Sequence, residues 1–237
     1  GSCGGTFEGA GTTLGVSPAT TTTYYVRAEG TCNTTTCASV TVIVNINSTA
    51  ATSASASVDP ICDGNSTTLS ITGGTLGTGA NWTWYSVSCG GALEGTGVSL
   101  SVSPSSTTTY YVRAEGVCNT TACVSVTVTV NSLSVAPTSA SASVNPSCEG
   151  QPTTLSFTGG SLGTGGTWNW YSGSCGGTLE GNGTSISVSP TTITTYYVRA
   201  EGTCNTTVCI SVTVVVNTNS VAATGATTSF DPICDGN

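Results

Sequence analysis

The chain has 237 residues, of which 6% are charged and none is histidine, and its formal net charge is −8 at pH 7. Ordinary soluble domains are roughly 25% charged, so this surface must be built from Ser, Thr, Asn and Gly. The only basic side chains are Arg27, Arg113 and Arg199; a chain so acidic is a poor partner for nucleic acid or an anionic membrane. With no histidine and no lysine, triad catalysis, Schiff bases and imidazole metal sites are excluded, and no cofactor is expected. No apolar run approaches the roughly 18 residues that span a bilayer.

Cys3, Cys89 and Cys175 are 86 residues apart, as are Arg27, Arg113 and Arg199, and Cys62, Cys148 and Cys234. No insertion breaks this register. A period of this length suits a bead with its own small core better than a solenoid turn. The chain divides into the C-terminal part of one repeat (1–46), complete repeats at 48–132 and 134–218, and the N-terminal part of another (220–237).

Within the repeat at 48–132, Ala54, Ala56 and Val58 alternate with serines as a first strand that Asp59-Pro60 ends, and Asp63-Gly64-Asn65 supplies a turn. Leu69 and Ile71 alternate with polar neighbours as a second strand. A Gly-rich loop then leads to Trp82-Thr83-Trp84-Tyr85, whose two indoles share one face of a third strand. Cys89-Gly90-Gly91 turns the chain, Val98, Leu100 and Val102 alternate with serines, and Pro104 stops that strand. The unit closes on the stretch TTTYYVRAEGVCNTTAC at residues 107–123. Tyr110, Val112 and Ala114 point one way and Tyr111, Arg113 and Glu115 the other; Val124, Val126, Val128 and Val130 then form the returning strand of a β-hairpin. Six or seven short strands without a helical period predict an all-β fold, a tandem array of immunoglobulin-like antiparallel β-sandwiches. The linkers around residues 44–47, 130–132 and 216–218 are short and restrict swinging, which predicts a stiff rod advancing roughly 35–45 Å per repeat.

Twelve cysteines in four periodic slots read as disulfides and hence as export; four thiolates on structural zinc are the rival. Bridging needs Cα atoms within about 7 Å. If the loop of Cys62 and the end of the tryptophan strand share one pole, the pairs are Cys62–Cys89 and Cys118–Cys123, repeated as Cys148–Cys175, Cys204–Cys209 and Cys32–Cys37. Cys62–Cys118 is the alternative. On the same pairing Cys3 needs a partner 27 residues earlier and Cys234 one 27 residues later, both outside the sequence. Residues 1–237 are then expected to be a segment of a longer chain, or else to exchange strands between subunits.

Other chemistry has a plain structural counterpart at every position. Trp82, Trp84, Trp168 and Trp170 fit core packing before sugar stacking. Arg113 and Glu115, two apart on one face, fit a surface ion pair, as does Arg113 with Glu94 across strands. The sharper reading makes Arg27, Arg113 and Arg199 contacts for a neighbouring chain's carboxylates. Glu94 and Glu115 recur as Glu180 and Glu201, and identical active sites in every bead of a rod argue against a glycosidase pair. A calcium site at Asp59, Asp63 and Asn65 loses charge where the second copy has Asn145, Glu149 and Gln151, so a simple turn is expected. Sequons stand at Asn33, Asn47, Asn65, Asn81, Asn119, Asn182 and Asn205.

The order ICDG, WYS, SCGG, TTYYVRAEG, CNTT, with stretches such as WYSGSCGGTLEGNGTSISVSP and TTYYVRAEGTCNTTVC, resembles the tandem Ig-like repeats of very large secreted surface proteins of Bacteroidota-type bacteria. That resemblance covers the whole chain and implies export, cell-surface attachment through a terminal domain, and adhesive, gliding or filament-forming roles. It carries no catalytic motif. The expectation is a non-enzymatic, self-associating repeat region of an extracellular filament or cell-surface adhesin. An array of carbohydrate- or surface-binding modules using exposed aromatics is the alternative, with a glycan or surface ligand as partner.

Overall fold

The computed structural model describes residues 1–227, 229 and 235, and the chain forms two compact units that divide between Val130 and Asn131. Unit 1 begins with a hairpin of β1 (Thr22–Val26) and β2 (Ala38–Val42). Its complete repeat follows as β3 (Ser53–Ala56), β4 (Ile61–Cys62), β5 (Thr67–Thr72), β6 (Asn81–Ser86), β7 (Ala92–Thr96), β8 (Ser99–Val102), β9 (Thr108–Glu115), β10 (Val124–Val128) and β11 (Val130–Asn131). Unit 2 repeats the plan as β12 (Ser139–Ala142), β13 (Ser147–Cys148), β14 (Thr153–Thr158), β15 (Thr167–Ser172), β16 (Thr178–Asn182), β17 (Ser185–Val188), β18 (Thr194–Glu201), β19 (Ile210–Val214) and β20 (Val216–Asn217).

Each complete repeat is a two-sheet sandwich. One sheet runs β3-β5-β8 and the other β10-β9-β6-β7, with every neighbour antiparallel. The alternating strands appear where period two places them. No alternation along the chain marks β7, which pairs with β6 through a bulge at Trp84/Tyr85, or the two-residue strands. β13 pairs parallel with β20, and β4 pairs with β11 in the same position. Residues 130–131 and 216–217, expected as linker, are therefore part of the sandwich.

The core lies between the sheets. Leu69, Trp84, Val112, Ala114 and Val128 have no exposed surface, and Trp82, Tyr110 and Ile61 close around them. The burial of β9 alternates residue by residue, as the TTYYVRAE pattern requires. A buried indole needs an acceptor, and Trp84 Nε1 donates to the Gly97 carbonyl at 2.9 Å. Trp170 does the same with Gly183 at 3.2 Å. Phe157, where the first repeat has Ile71, adds a tilted ring contact with Trp168 at 4.6 Å between centroids.

The outward positions hold hydroxyls rather than charges, and these pair across strands: Thr109 with Thr127 at 2.8 Å, Thr195 with Thr213 at 2.8 Å, and Ser55 with Ser70 at 3.2 Å. Such pairs contribute a few tenths of a kcal/mol each (about 0.2–1), and they give an almost uncharged surface specific register contacts.

Because Trp84 is fully buried, Trp84→Ala should lower the stability of unit 1 by about 3–5 kcal/mol. The equivalent Trp170→Ala should do the same to unit 2. Urea denaturation followed separately in each variant checks this, and a loss below about 1 kcal/mol would contradict the packing described.

Candidate functional site

The outer face of the four-stranded sheet carries the only cation in each repeat. The register sets Thr83 opposite Arg113 and Tyr85 opposite Tyr111, so Tyr85, Arg113 and Glu115 share the face turned away from the core. Tyr85 Oη donates to Glu115 Oε1 at 2.6 Å, Arg113 Nε donates to the same oxygen at 2.7 Å, and Arg113 Nη2 lies 2.6 Å from it. The guanidinium sits over the Tyr85 ring, 5.2 Å from its centroid. Unit 2 reproduces the cluster with Tyr171, Arg199 and Glu201, and Asn169 adds a 3.0 Å bond to the second carboxylate oxygen. In the β1–β2 hairpin Arg27 pairs with Glu29 at 2.6 Å. Each arginine is thus bound to a carboxylate two residues further along the chain, and the cross-strand pair of Arg113 with Glu94 does not form. Tyr85's hydrogen bond, reinforced by Arg113, holds the Glu115 carboxyl below its ordinary range. The same bond to Glu115, with burial, pushes the Tyr85 phenol up against the opposing pull of Arg113.

The cysteines pair differently from the pole-to-pole expectation. The bonds are Cys3–Cys37, Cys89–Cys123 and Cys175–Cys209, with Cα separations of 6.0, 6.0 and 5.9 Å. The predicted pairs Cys32–Cys37, Cys62–Cys89, Cys118–Cys123, Cys148–Cys175 and Cys204–Cys209 are all excluded, since one member of each is bonded elsewhere. Cys32, Cys118 and Cys148 are free, exposed thiols. Cys234 lies outside the described residues. The reason is the path of the SCGG loop, which folds back over the outer face instead of staying at the strand's pole. Arg113 Nη1 reaches Cys89 Sγ at 3.7 Å, and Cys123 lies just before Val124, which pairs with Val112. Gly90 is required there: its φ is +81°, and a Cβ would stand 3.1 Å from the guanidinium. The bridge therefore staples the loop across β9, above the arginine.

Two further signature stretches act as clamps. Asn119, in the CNTT turn, accepts from Ser48 N at 2.8 Å and donates to Ser48 O at 2.9 Å. Asn205 holds Ser134 in the same way. The Gly-rich loop meets the same segment, with Thr78 N donating to Ile46 O at 3.0 Å; a Cβ on Gly77 would overlap that carbonyl. The sequons at Asn119 and Asn205 are hence structural amides. The turn weighed against a calcium site is also engaged with backbone. Asp59 Oδ1 accepts from Thr129 N at 2.7 Å, and Asn145 Oδ1 accepts from Val215 N at 2.9 Å. The contact needs only an acceptor oxygen, which explains the interchange of Asp and Asn. No cluster of metal-ligating side chains occurs among the described residues.

Glu94, weighed with Glu115 as a catalytic pair, lines an open depression of about 570 Å³ with Ser86, Ser101, Ser103 and Tyr110. It borders the Ser86 end of β6, whereas Glu115 pairs with Asn81 at the other end, so the two do not face one another as a catalytic pair. The tryptophans are all in the core, between 0% and 6% exposed.

A lowered folded pKa at Glu115 and Glu201 means that the unfolded chain takes up these protons first as pH falls. The stability they contribute is complete above the ordinary carboxylate value of about 4.3 and is lost as pH falls through the lowered folded value. Between about pH 5 and pH 3 the melting temperature of the wild type should fall more steeply than that of a Glu115→Gln/Glu201→Gln variant. Parallel slopes would remove the cluster from the acid response. Non-reducing peptide mapping should recover Cys89 joined to Cys123, and Cys175 to Cys209.

The family model described as an Ig-like domain, CHU_C associated, matches residues 49–131 and 135–217. Among solved structures, murine CEACAM1b is similar with 13% identity and a TM-score of 0.43, over 70% of this chain and 99% of that one. A Ca2+-stabilized adhesin with which an Antarctic bacterium binds ice is similar with 18% identity and a TM-score of 0.40, over 86% of this chain and 58% of that one. No curated protein matches the chain. With two tandem matches that take up most of its length, the chain belongs to the CHU_C-associated Ig-like domain family.

Proposed function

We propose that the chain is a structural, self-associating repeat region of a secreted extracellular filament or cell-surface adhesin, working as a stiff, disulfide-reinforced rod. The observation that carries this reading is that every signature stretch of the repeat is spent on construction. SCGG and its partner cysteine staple the outer face, CNTT and the Gly-rich loop bind the incoming linker, and the arginines are neutralised within their own strands. Such a linker has little freedom at the repeat it enters. The disulfides support a location outside the cytoplasm.

Arg27, Arg113 and Arg199 are weak candidates for contacts between chains, because each would first have to leave its own carboxylate. Binding of a sugar by exposed aromatics has no platform in the buried tryptophans. Sedimentation of the purified, unreduced chain over a range of concentrations, with electron microscopy of the products, tests the proposal. Concentration-dependent, elongated assemblies are expected. A monomer at every concentration that binds a glycan saturably would overturn it.

A further inference from the structure

The open depression beside Glu94, about 570 Å³ in volume, lies within the first complete repeat and has no cation in its wall. The wall sets a single carboxylate among hydroxyls, those of Ser86, Ser101, Ser103 and Tyr110 included. Two of these residues are buried. Ser86 is 8% exposed and Tyr110 4%, and neither hydroxyl takes part in a hydrogen bond among the described residues. No polar side-chain atom of the described residues is sealed from solvent without a partner. Ser86 Oγ and Tyr110 Oη therefore open onto the depression that these residues line. Burial, and then the charge of Glu94, push the Tyr110 phenol up, so it keeps a proton to donate.

Val87 stands in the same wall and is 82% exposed. Its φ is +70°, and it is the only non-glycine residue with a positive φ among the described residues. A β-branched side chain is strained in that region, and the equivalent position of the second repeat is Gly173, with φ +80°. An apolar side chain held exposed on a strained backbone, beside unpartnered buried hydroxyls, marks a place where something binds.

We infer that the depression binds a neutral saccharide, with Glu94, Ser86 and Tyr110 on its hydroxyl groups and Val87 against its C–H face. A saccharide hydroxyl both donates and accepts, which suits this wall: the carboxylate only accepts, and the serine and tyrosine hydroxyls do both. An anion would meet Glu94 with no cation to offset it. A divalent cation would find one carboxylate where such ions take several oxygens. The volume falls within the range of small-molecule sites, roughly 300–1,000 Å³, and the open form suits one unit of a longer glycan laid across it. The second repeat keeps Ser172, Glu180, Ser187, Ser189 and Tyr196 at the equivalent positions. There Ser172 Oγ donates to Glu180 Oε1 at 2.6 Å, so part of the carboxylate is already engaged, and glycine removes the apolar contact. The first repeat is accordingly the stronger site. This inference does not rest on the self-association proposed above.

Equilibrium dialysis of the full, unreduced chain against fluorescently tagged cellohexaose, maltohexaose and mannohexaose tests it, with galacturonic acid and glucosamine hexamers alongside. Saturable binding of a neutral hexamer is expected. Glu94→Ala removes an ionised acceptor and should weaken that binding about tenfold or more. Tyr110→Phe keeps the ring and should weaken it about threefold to tenfold. Val87→Gly should weaken it about threefold yet leave the melting temperature no lower, because relief of strain offsets the freer unfolded chain. A valine with a merely structural role would not separate binding from stability in this way. Glu94 and Val87 are both exposed, so their variants keep the test decisive should Tyr110→Phe fail to fold. Failure of every neutral hexamer to bind overturns the inference, as does binding that ignores both Glu94→Ala and Val87→Gly. Binding confined to one of the charged hexamers overturns it as well.

Discussion

One indole per repeat, the one with no exposed surface, organises the sandwich. Trp84 and Trp170 sit at the centre of the contact between sheets with no exposed surface, and each has a single polar atom that must be satisfied there. The acceptor is a glycine carbonyl in the turn between the neighbouring strands, so burying the ring also fixes that turn. Leu69, Val112 and Val128 close the remaining space. A small domain with few aliphatic residues gains much of its buried area from such rings.

Outside that core the chain does without the usual means of covering a surface. Long charged side chains are replaced by serine and threonine hydroxyls that bond across strands, and by amides that bond to backbone. These contacts are short and carry little side-chain entropy to lose. The single arginine of each repeat fits the same economy. It is tied to a carboxylate, lies over a tyrosine ring and supports the stapled loop, so an isolated charge does double duty as packing.

The repeat also shows how one backbone contact tolerates sequence drift. Asp59 and Asn145 differ in charge but accept the same kind of hydrogen bond from the strand beside them. Ile61 and Ser147 differ in polarity and are both buried at the start of the short strand. What persists is geometry: an acceptor, a proline and an N–H in register. The stretch expected as a simple turn thereby also docks on the neighbouring strand.

Much was legible along the chain because period two is a local property. The faces of β6 and β9, the burial of the tryptophans, the hairpin and the sandwich class all follow from which side successive residues must take. The in-strand pairing of Arg113 with Glu115 was legible for the same reason. Local alternation says nothing about where a loop goes after its strand ends, and there the tertiary structure alone decided. The SCGG loop folds back over the arginine, so Cys89 meets Cys123 and not Cys62. The Asp-Pro stretch returns to the edge of the last strand, so a linker becomes part of a sheet. Tyr85 lies along the outer face to reach Glu115. Each joins residues whose separation along the chain carries no periodic signal, and each is settled by which surface the folded sheet offers to the chain passing over it.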